Sequence, residues 1–272
     1  MILKKNSSEY VNLKIIESRP TYYQAVELLE KTSGEYASID RGFASDYYEC
    51  ELTIDGKRDE ILSIDNFINS ILETGDDPFI SSTPYITDLN DGERPFGDNI
   101  SYEGLTCFIT IIEKGDVVQT NLNRYTLRFT IRTTSADLYF KGSTDFPKIE
   151  NITHNISRTN TPQFFNFDTY EGSQFNYFTT QRNNECVIDS IMDVESAIDL
   201  QEWFRNQRKQ PFTMRKDDFG MEYPFGDQYE WGDYNGSNYY FRAIMTNLDV
   251  QYISPSHRAV SMDITMITQE TI

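Results

Sequence analysis

Histidine is nearly absent from this chain: His154 and His257 are the only two in 272 residues. Cysteine is scarce as well, and Cys50, Cys107 and Cys186 are odd in number and widely spaced. Metal centres and disulfide frameworks need these residue types at short, paired spacings. Neither is expected, and a reducing compartment of synthesis suits the thiols. No apolar run approaches the roughly 20 residues that a membrane helix requires. The start, Met1-Ile2-Leu3-Lys4-Lys5, is too short an apolar stretch to act as a secretory signal. A soluble protein without membrane insertion is expected, and the Asn-X-Ser/Thr triplets at Asn6, Asn151, Asn155 and Asn235 read as chance. Positive charge is the third shortage. Lys and Arg total 24 against 43 Asp and Glu, a formal net charge of −19. Such a balance repels phosphate and argues against a sequence-reading nucleic-acid binder. It fits an ordinary solvated surface, or a channel wall past which DNA slides without sticking.

Catalytic signatures are missing too. There is no Gly-X-Ser-X-Gly elbow, phosphate-binding Walker loop, dinucleotide fingerprint or His-Glu-X-X-His pair. Asp218-Phe219-Gly220 imitates a kinase triplet with nothing else of a kinase around it. Asp217, Asp218, Glu222 and Asp227 lack the ligand spacing of a calcium loop and read as solvated carboxylates. With so many acids, some pair always resembles a glycosidase acid and nucleophile, so that likeness carries little weight. No catalytic, cofactor-binding or metal-binding residue is assigned, no cofactor is expected, and the protein reads as non-enzymatic.

What the sequence does contain is itself, twice. Glu49-Cys50 recurs as Glu185-Cys186, and Ile64-Asp65 as Ile198-Asp199. Pro78-Phe79 recurs as Pro211-Phe212, and Pro95-Phe96-Gly97-Asp98 unchanged as Pro224-Phe225-Gly226-Asp227. Leu127, Phe129 and Ile131 fall on Val260, Met262 and Ile264. Partners lie 133 residues apart at Pro78, Phe108, Asp116 and Leu127, 136 apart before the helix and 129 apart at the Pro-Phe-Gly-Asp turn. Landmarks in one order at nearly one offset indicate a tandem duplication with small loop indels. The expected domains are residues 1–138 and 139–272, with the junction in the Ser-, Thr-, Gly-, Asp- and Pro-containing stretch 133–148. A turn preserved in both halves reads as structural: Pro fixes φ, Gly permits the turn, and Phe anchors the loop to the core.

Within each copy one helix is legible. Ile64, Phe67, Ile68, Ile71 and Leu72 follow the spacing of one helical face, with Ser63 as candidate cap and Gly75 as stop. Ala197, Leu200, Trp203 and Phe204 form the second stripe behind Ser196, and Arg205, Arg208 and Lys209 crowd its last turn. Strands are expected over residues 10–16, 48–54, 106–113, 123–133, 239–248 and 258–267. A hairpin turn is expected at Asp55-Gly56 and a short helix over residues 22–31. The fold class is therefore mainly β with α: two sandwich or small-barrel domains, each flanked by one α-helix.

The stretch from Ile198 to Met214, with its aromatic-rich helix, short polar break and Phe-led strand, resembles the helix-to-strand signature of bacteriophage distal tail, minor tail and baseplate hub proteins. Ile64-Asp65-Asn66-Phe67 through Pro78-Phe79 carries a weaker version. The likeness covers roughly 20 residues per repeat, and the glycine usual in the break is missing from the second copy. The resemblance implies tail-tube domains in a ring around a DNA conduit, closed as a homotrimer with pseudo-sixfold symmetry or as a homohexamer. It implies neighbouring tube and tail-tip or baseplate proteins as partners, DNA passing without specific binding, synthesis in the host cytoplasm and residence in the virion. A tandem carbohydrate-binding protein is the competing expectation, with Tyr229, Trp231, Tyr234, Tyr239 and Tyr240 as its first candidates.

Overall fold

The computed structural model describes residues 1–30, 36–74, 84–87, 94–149, 157–168, 174–215, 219, 232–234 and 238–268. The chain is mainly β, with two α-helices and several sheets among the described residues. In order come β1 (Ile2–Lys4), β2 (Tyr10–Asn12), β3 (Ile15–Tyr23), β4 (Val26–Glu30), β5 (Tyr36–Asp40), β6 (Tyr47–Gly56) and α1 (Arg58–Thr74). They are followed by β7 (Tyr85–Thr87), β8 (Cys107–Phe108), β9 (Thr110–Lys114), β10 (Val118–Asn121) and β11 (Arg124–Thr134). The remainder is β12 (Ser157–Asp168), β13 (Gln174–Asp193), α2 (Val194–Gln207), β14 (Phe212–Arg215), β15 (Gly232–Tyr234), β16 (Asn238–Ser254) and β17 (His257–Thr268). Two compact units result. One comprises Met1–Ala25 with Arg41–Lys141, the other Val26–Asp40 with Gly142–Ile272.

In the first unit a sheet ordered β10-β11-β6-β3, with β9 also paired to β11, lies beside a smaller sheet ordered β2-β1-β7-β8. Alternation along β6 and β11 sends Cys50, Leu52, Ile54, Leu127, Phe129 and Ile131 into the core. The other face carries the cross-strand ion pairs Arg132–Glu49, Arg128–Glu51 and Arg124–Asp55. Such exposed pairs are worth about 0.5 kcal/mol or less each, so the buried face holds this sheet together. Helix α1 packs on β6 and β11. It presents Ile61, Ile64, Ile68 and Ile71 to the core, with Phe67 half-buried against it.

Among the described residues the second unit has a sheet ordered β12-β13-β17-β16-β14, with β15 on β16, and the two-stranded β4-β5; α2 packs on β13, β16 and β17. Pairing in the two units agrees rung by rung. Cys50 faces Ile131 as Cys186 faces Ile264; Leu52 faces Phe129 as Ile188 faces Met262; Ile54 faces Leu127 as Ser190 faces Val260. The sequence offsets of 136 before the helix and 133 after it are those rungs seen from the chain. At the closing hairpins Val118 faces Thr126 as Gln251 faces Ala259.

Several local expectations are corrected. The expected helix over residues 22–31 is absent through residue 30, the last described there: Tyr22 and Tyr23 end β3 and Val26–Glu30 form β4, where Glu27, Leu28 and Leu29 pair with Ile39, Ser38 and Ala37. Asp55-Gly56 turns no hairpin, because the chain passes from β6 through Lys57 into α1. That helix starts before Ser63, which is interior to it and not its cap. The Lys57 backbone N–H donates instead to Glu60 Oε2 at 2.9 Å, a carboxylate in the first turn doing the capping. Leu72 is 37% exposed and falls outside the buried stripe that Ile61 begins. In α2 the cap is Asp193, whose carboxylate accepts from the Ser196 backbone N–H at 2.9 Å and its hydroxyl at 2.8 Å. Residues 10–16 are split between β2 and β3, since Leu13 turns into the core and its N–H donates to the Met1 carbonyl.

Candidate functional site

The landmark turn of the first copy is a plug. Pro95 and Phe96 are buried, and Phe96 meets Tyr48 edge-on at 6.3 Å between ring centres. Gly97 sits at φ 99°, a conformation that glycine adopts without a Cβ clash. Tyr102 brackets the turn: its hydroxyl accepts from the Phe96 N–H and donates to the Gly97 carbonyl, both at 2.9 Å. Asp98 is ion-paired with Arg94 at 2.5 Å. Pro78, Phe79 and the second copy of the motif, Pro224, Phe225, Gly226 and Asp227, lie outside the described residues. Asp217, Asp218, Glu222, Tyr229, Trp231 and His154 lie outside them as well. Tyr234 falls in β15, and Tyr239 and Tyr240 in β16.

In the second unit the helix stripe and the Phe-led strand meet. Phe146 packs edge-on against Trp203 at 4.7 Å and lies near Phe219 at 5.1 Å, while Trp203 meets Phe212 edge-on at 5.0 Å. Ala197 and Leu200 are fully buried, and Trp203 and Phe204 nearly so. Gly142, at φ 120°, enters this unit against α2; an added Cβ would come within 3.0 Å of Ile198 and 3.1 Å of Glu202. The repeated aspartates are both ties. Asp65 accepts from Lys114 Nζ of β9 at 2.5 Å, and Asp199 accepts from the Ser143 N–H at 2.6 Å.

Sequence reasoning missed the hairpin β4–β5. Its base is held by Asp46, fully buried, whose carboxylate accepts from the Tyr22 hydroxyl at 2.6 Å and the Ala25 N–H at 2.8 Å. The Arg41 N–H donates to the Ala25 carbonyl at 3.0 Å and closes the neck. Beyond that neck the hairpin belongs to the second compact unit. Arg208, at the carboxyl end of α2, grips Asp40 with two donors, Nε at 2.6 Å and Nη2 at 2.5 Å. Gln210 donates to Ser38 Oγ at 2.8 Å. Arg208 and Lys209 hold φ of 50° and 52° in the left-handed region. That costs roughly 1 kcal/mol apiece for residues with a Cβ. A glycine would end the helix without strain but could not reach Asp40. No spacing in the sequence announced this clasp, because its partner lies 168 positions away in the chain.

Among the described residues, no three His, Cys, Asp or Glu side chains gather closely enough to hold a metal ion. His257 is exposed, with Nδ1 2.9 Å from Ser256 Oγ. The three thiols are buried and form no disulfide. Desolvation pushes the Cys107 thiol up to about 11 and raises Cys50 further. Both stay protonated at neutral pH, the reverse of what a nucleophilic thiol needs. Apolar side chains stand exposed near the closing hairpins of both units: Val118 and Leu122 in one, Tyr252 and Ile253 in the other. No protein-family model matches the chain, and no curated protein matches it.

Proposed function

We propose that this chain is a structural, non-enzymatic ring component of a bacteriophage tail tip or baseplate, in the manner of distal tail, hub or tube proteins. Each half is read as a tail-tube-like domain, so that three copies close a pseudo-sixfold ring, or six a larger one, about a DNA conduit. The observation that carries the reading is the duplicated sheet-and-helix unit, with matching rungs at Cys50/Ile131 and Cys186/Ile264. Repeated units whose sheet edges and hairpin tips carry exposed apolar side chains suit assembly, because neighbouring copies complete what one chain leaves open. The net charge of −19 suits a wall that DNA passes without adhering. Neighbouring tube and baseplate proteins would stack above and below, in the virion.

The test is negative-stain microscopy of the purified chain with its mass in solution. Rings around a central hole, at trimer or hexamer mass, are expected. A monomer at the concentrations where tails assemble would overturn the reading.

A further inference from the structure

We infer that the carboxamide of Asn99 holds a buried water molecule, which joins the loop behind the Pro-Phe-Gly-Asp turn to the start of β6. The inference is independent of the ring reading and concerns the interior of the first unit. Asn99 is 1% exposed, an uncommon depth for a side chain that carries both a donor and an acceptor. It directly follows the turn, in the position that Gln228 takes after the second copy of the motif. A carboxamide therefore recurs behind Asp98 and Asp227.

The backbone of this stretch is tied to a neighbouring segment. The Lys141 N–H donates to the Asn99 carbonyl at 2.9 Å, Ile100 bridges Phe140, and the Ser101 N–H donates to the Tyr139 carbonyl at 2.7 Å. The side chain makes one bond of its own, from Asn99 Nδ2 to the Tyr48 hydroxyl at 3.3 Å. Among the described residues Asn99 Oδ1 has no hydrogen-bond partner. Turning the amide over exchanges its two ends and puts an NH2 group where no acceptor meets it. Neither orientation is satisfied by protein atoms alone. A buried polar atom left in that state is costly, and folded interiors meet such atoms with water.

Chemistry narrows the occupant. The rings packed on Tyr48 are Tyr22, stacked at 4.7 Å, and Phe96 and Phe140, at 6.3 and 6.1 Å. Phenylalanine has no donor to offer, and the Tyr22 hydroxyl donates to Asp46 Oδ2 at 2.6 Å. A free cation at this depth would be a desolvated charge, whereas water is neutral and small. Water donates one hydrogen to Asn99 Oδ1. It also bonds the Tyr48 hydroxyl, whose oxygen has two acceptor positions besides its one donor. One molecule thereby links a loop residue to a strand residue 51 positions away.

A high-resolution crystal structure of the full chain tests this. An ordered water about 2.7–3.2 Å from both Asn99 Oδ1 and the Tyr48 hydroxyl is expected. In solution the Asn99 side-chain amide should show a water cross-peak with the sign of a slowly tumbling molecule. Asn99→Asp keeps the acceptor and should retain that water, and Asn99→Leu, of similar volume, should lose it. A well-ordered Asn99 whose Oδ1 meets no water, or meets a protein donor instead, would overturn the inference from the parent chain alone, whether or not the variants fold. A water held unchanged in Asn99→Leu would overturn it as well, because the carboxamide would not be what holds it.

Discussion

Phe96 and Tyr102 show how much one turn depends on two rings. Phe96 is fully buried, so Phe96→Ala should cost about 3–5 kcal/mol of stability through lost burial and a cavity, measured by denaturant unfolding. Tyr102→Phe keeps the ring and removes the hydroxyl that satisfies the Phe96 N–H and caps Gly97. A loss of about 1–3 kcal/mol is expected in the same measurement, because a buried donor is left unpaired. The thiols make a second test at this scale. Cys107 has its folded pKa raised from 9.0 to about 11 by desolvation, so the folded state holds its proton more tightly than the unfolded one. Its contribution is intact below pH 9 and is lost as pH rises through about 11. Stability should therefore fall across that alkaline window, less so in Cys107→Ser. Asp193 shifts the other way. Hydrogen bonds from Ser196 lower its pKa, and its support of α2 is present above the ordinary carboxylate range and lost as pH falls through the depressed value. Asp193→Ala should cost about 1 kcal/mol at neutral pH.

At the scale of the element, the β4–β5 hairpin and the end of α2 are coupled. Arg208→Gly relieves a left-handed strain and at the same time releases Asp40. Global stability should change by about 1 kcal/mol or less, since the two effects oppose each other. Amide exchange in Val26–Asp40 should accelerate at least tenfold, while the amides of β13 and β17 keep their protection. Uniform acceleration across both would show that the clasp holds the whole unit and not one hairpin. Asp40→Asn should resemble Arg208→Gly in exchange without the compensating relief, and so be the less stable of the two.

For the whole molecule, the sequence repeat and the pairing register are two views of one arrangement. Two helices were legible because their stripes recur every three or four residues, and β6, β11, β16 and β17 because alternation marks a sheet with one dry face. The helix starts were misplaced for a physical reason. Ser63 and Ser196 are good caps in isolation, but Glu60 and Asp193 reach the open backbone N–H groups first. Residues 26–30 carry a helix-like apolar spacing, yet pairing with β5 decides their state, and that pairing is not a property of the segment alone. The burial of Phe96 in the first Pro-Phe-Gly-Asp turn agrees with its reading as an anchor, whereas Tyr102 and Asp46, which hold backbone groups across loops, left no mark in spacing. The proposed ring, whose exposed apolar side chains include Val118, Leu122, Tyr252 and Ile253, should keep its mass between about 0.05 and 1 M salt, roughly 14 to 3 Å of Debye length, as checked by light scattering.

The sequence by itself determined what the chain can bury: two copies of a stripe and an alternating ladder, under a strongly negative overall charge. Those follow from hydrophobic periodicity and composition, which are local and additive. Only the tertiary structure decided where the hairpin Val26–Asp40 belongs and what Arg208 does at the end of α2. Both depend on residues far apart in sequence meeting at one helix end, and the free energy of such a meeting has no local signature.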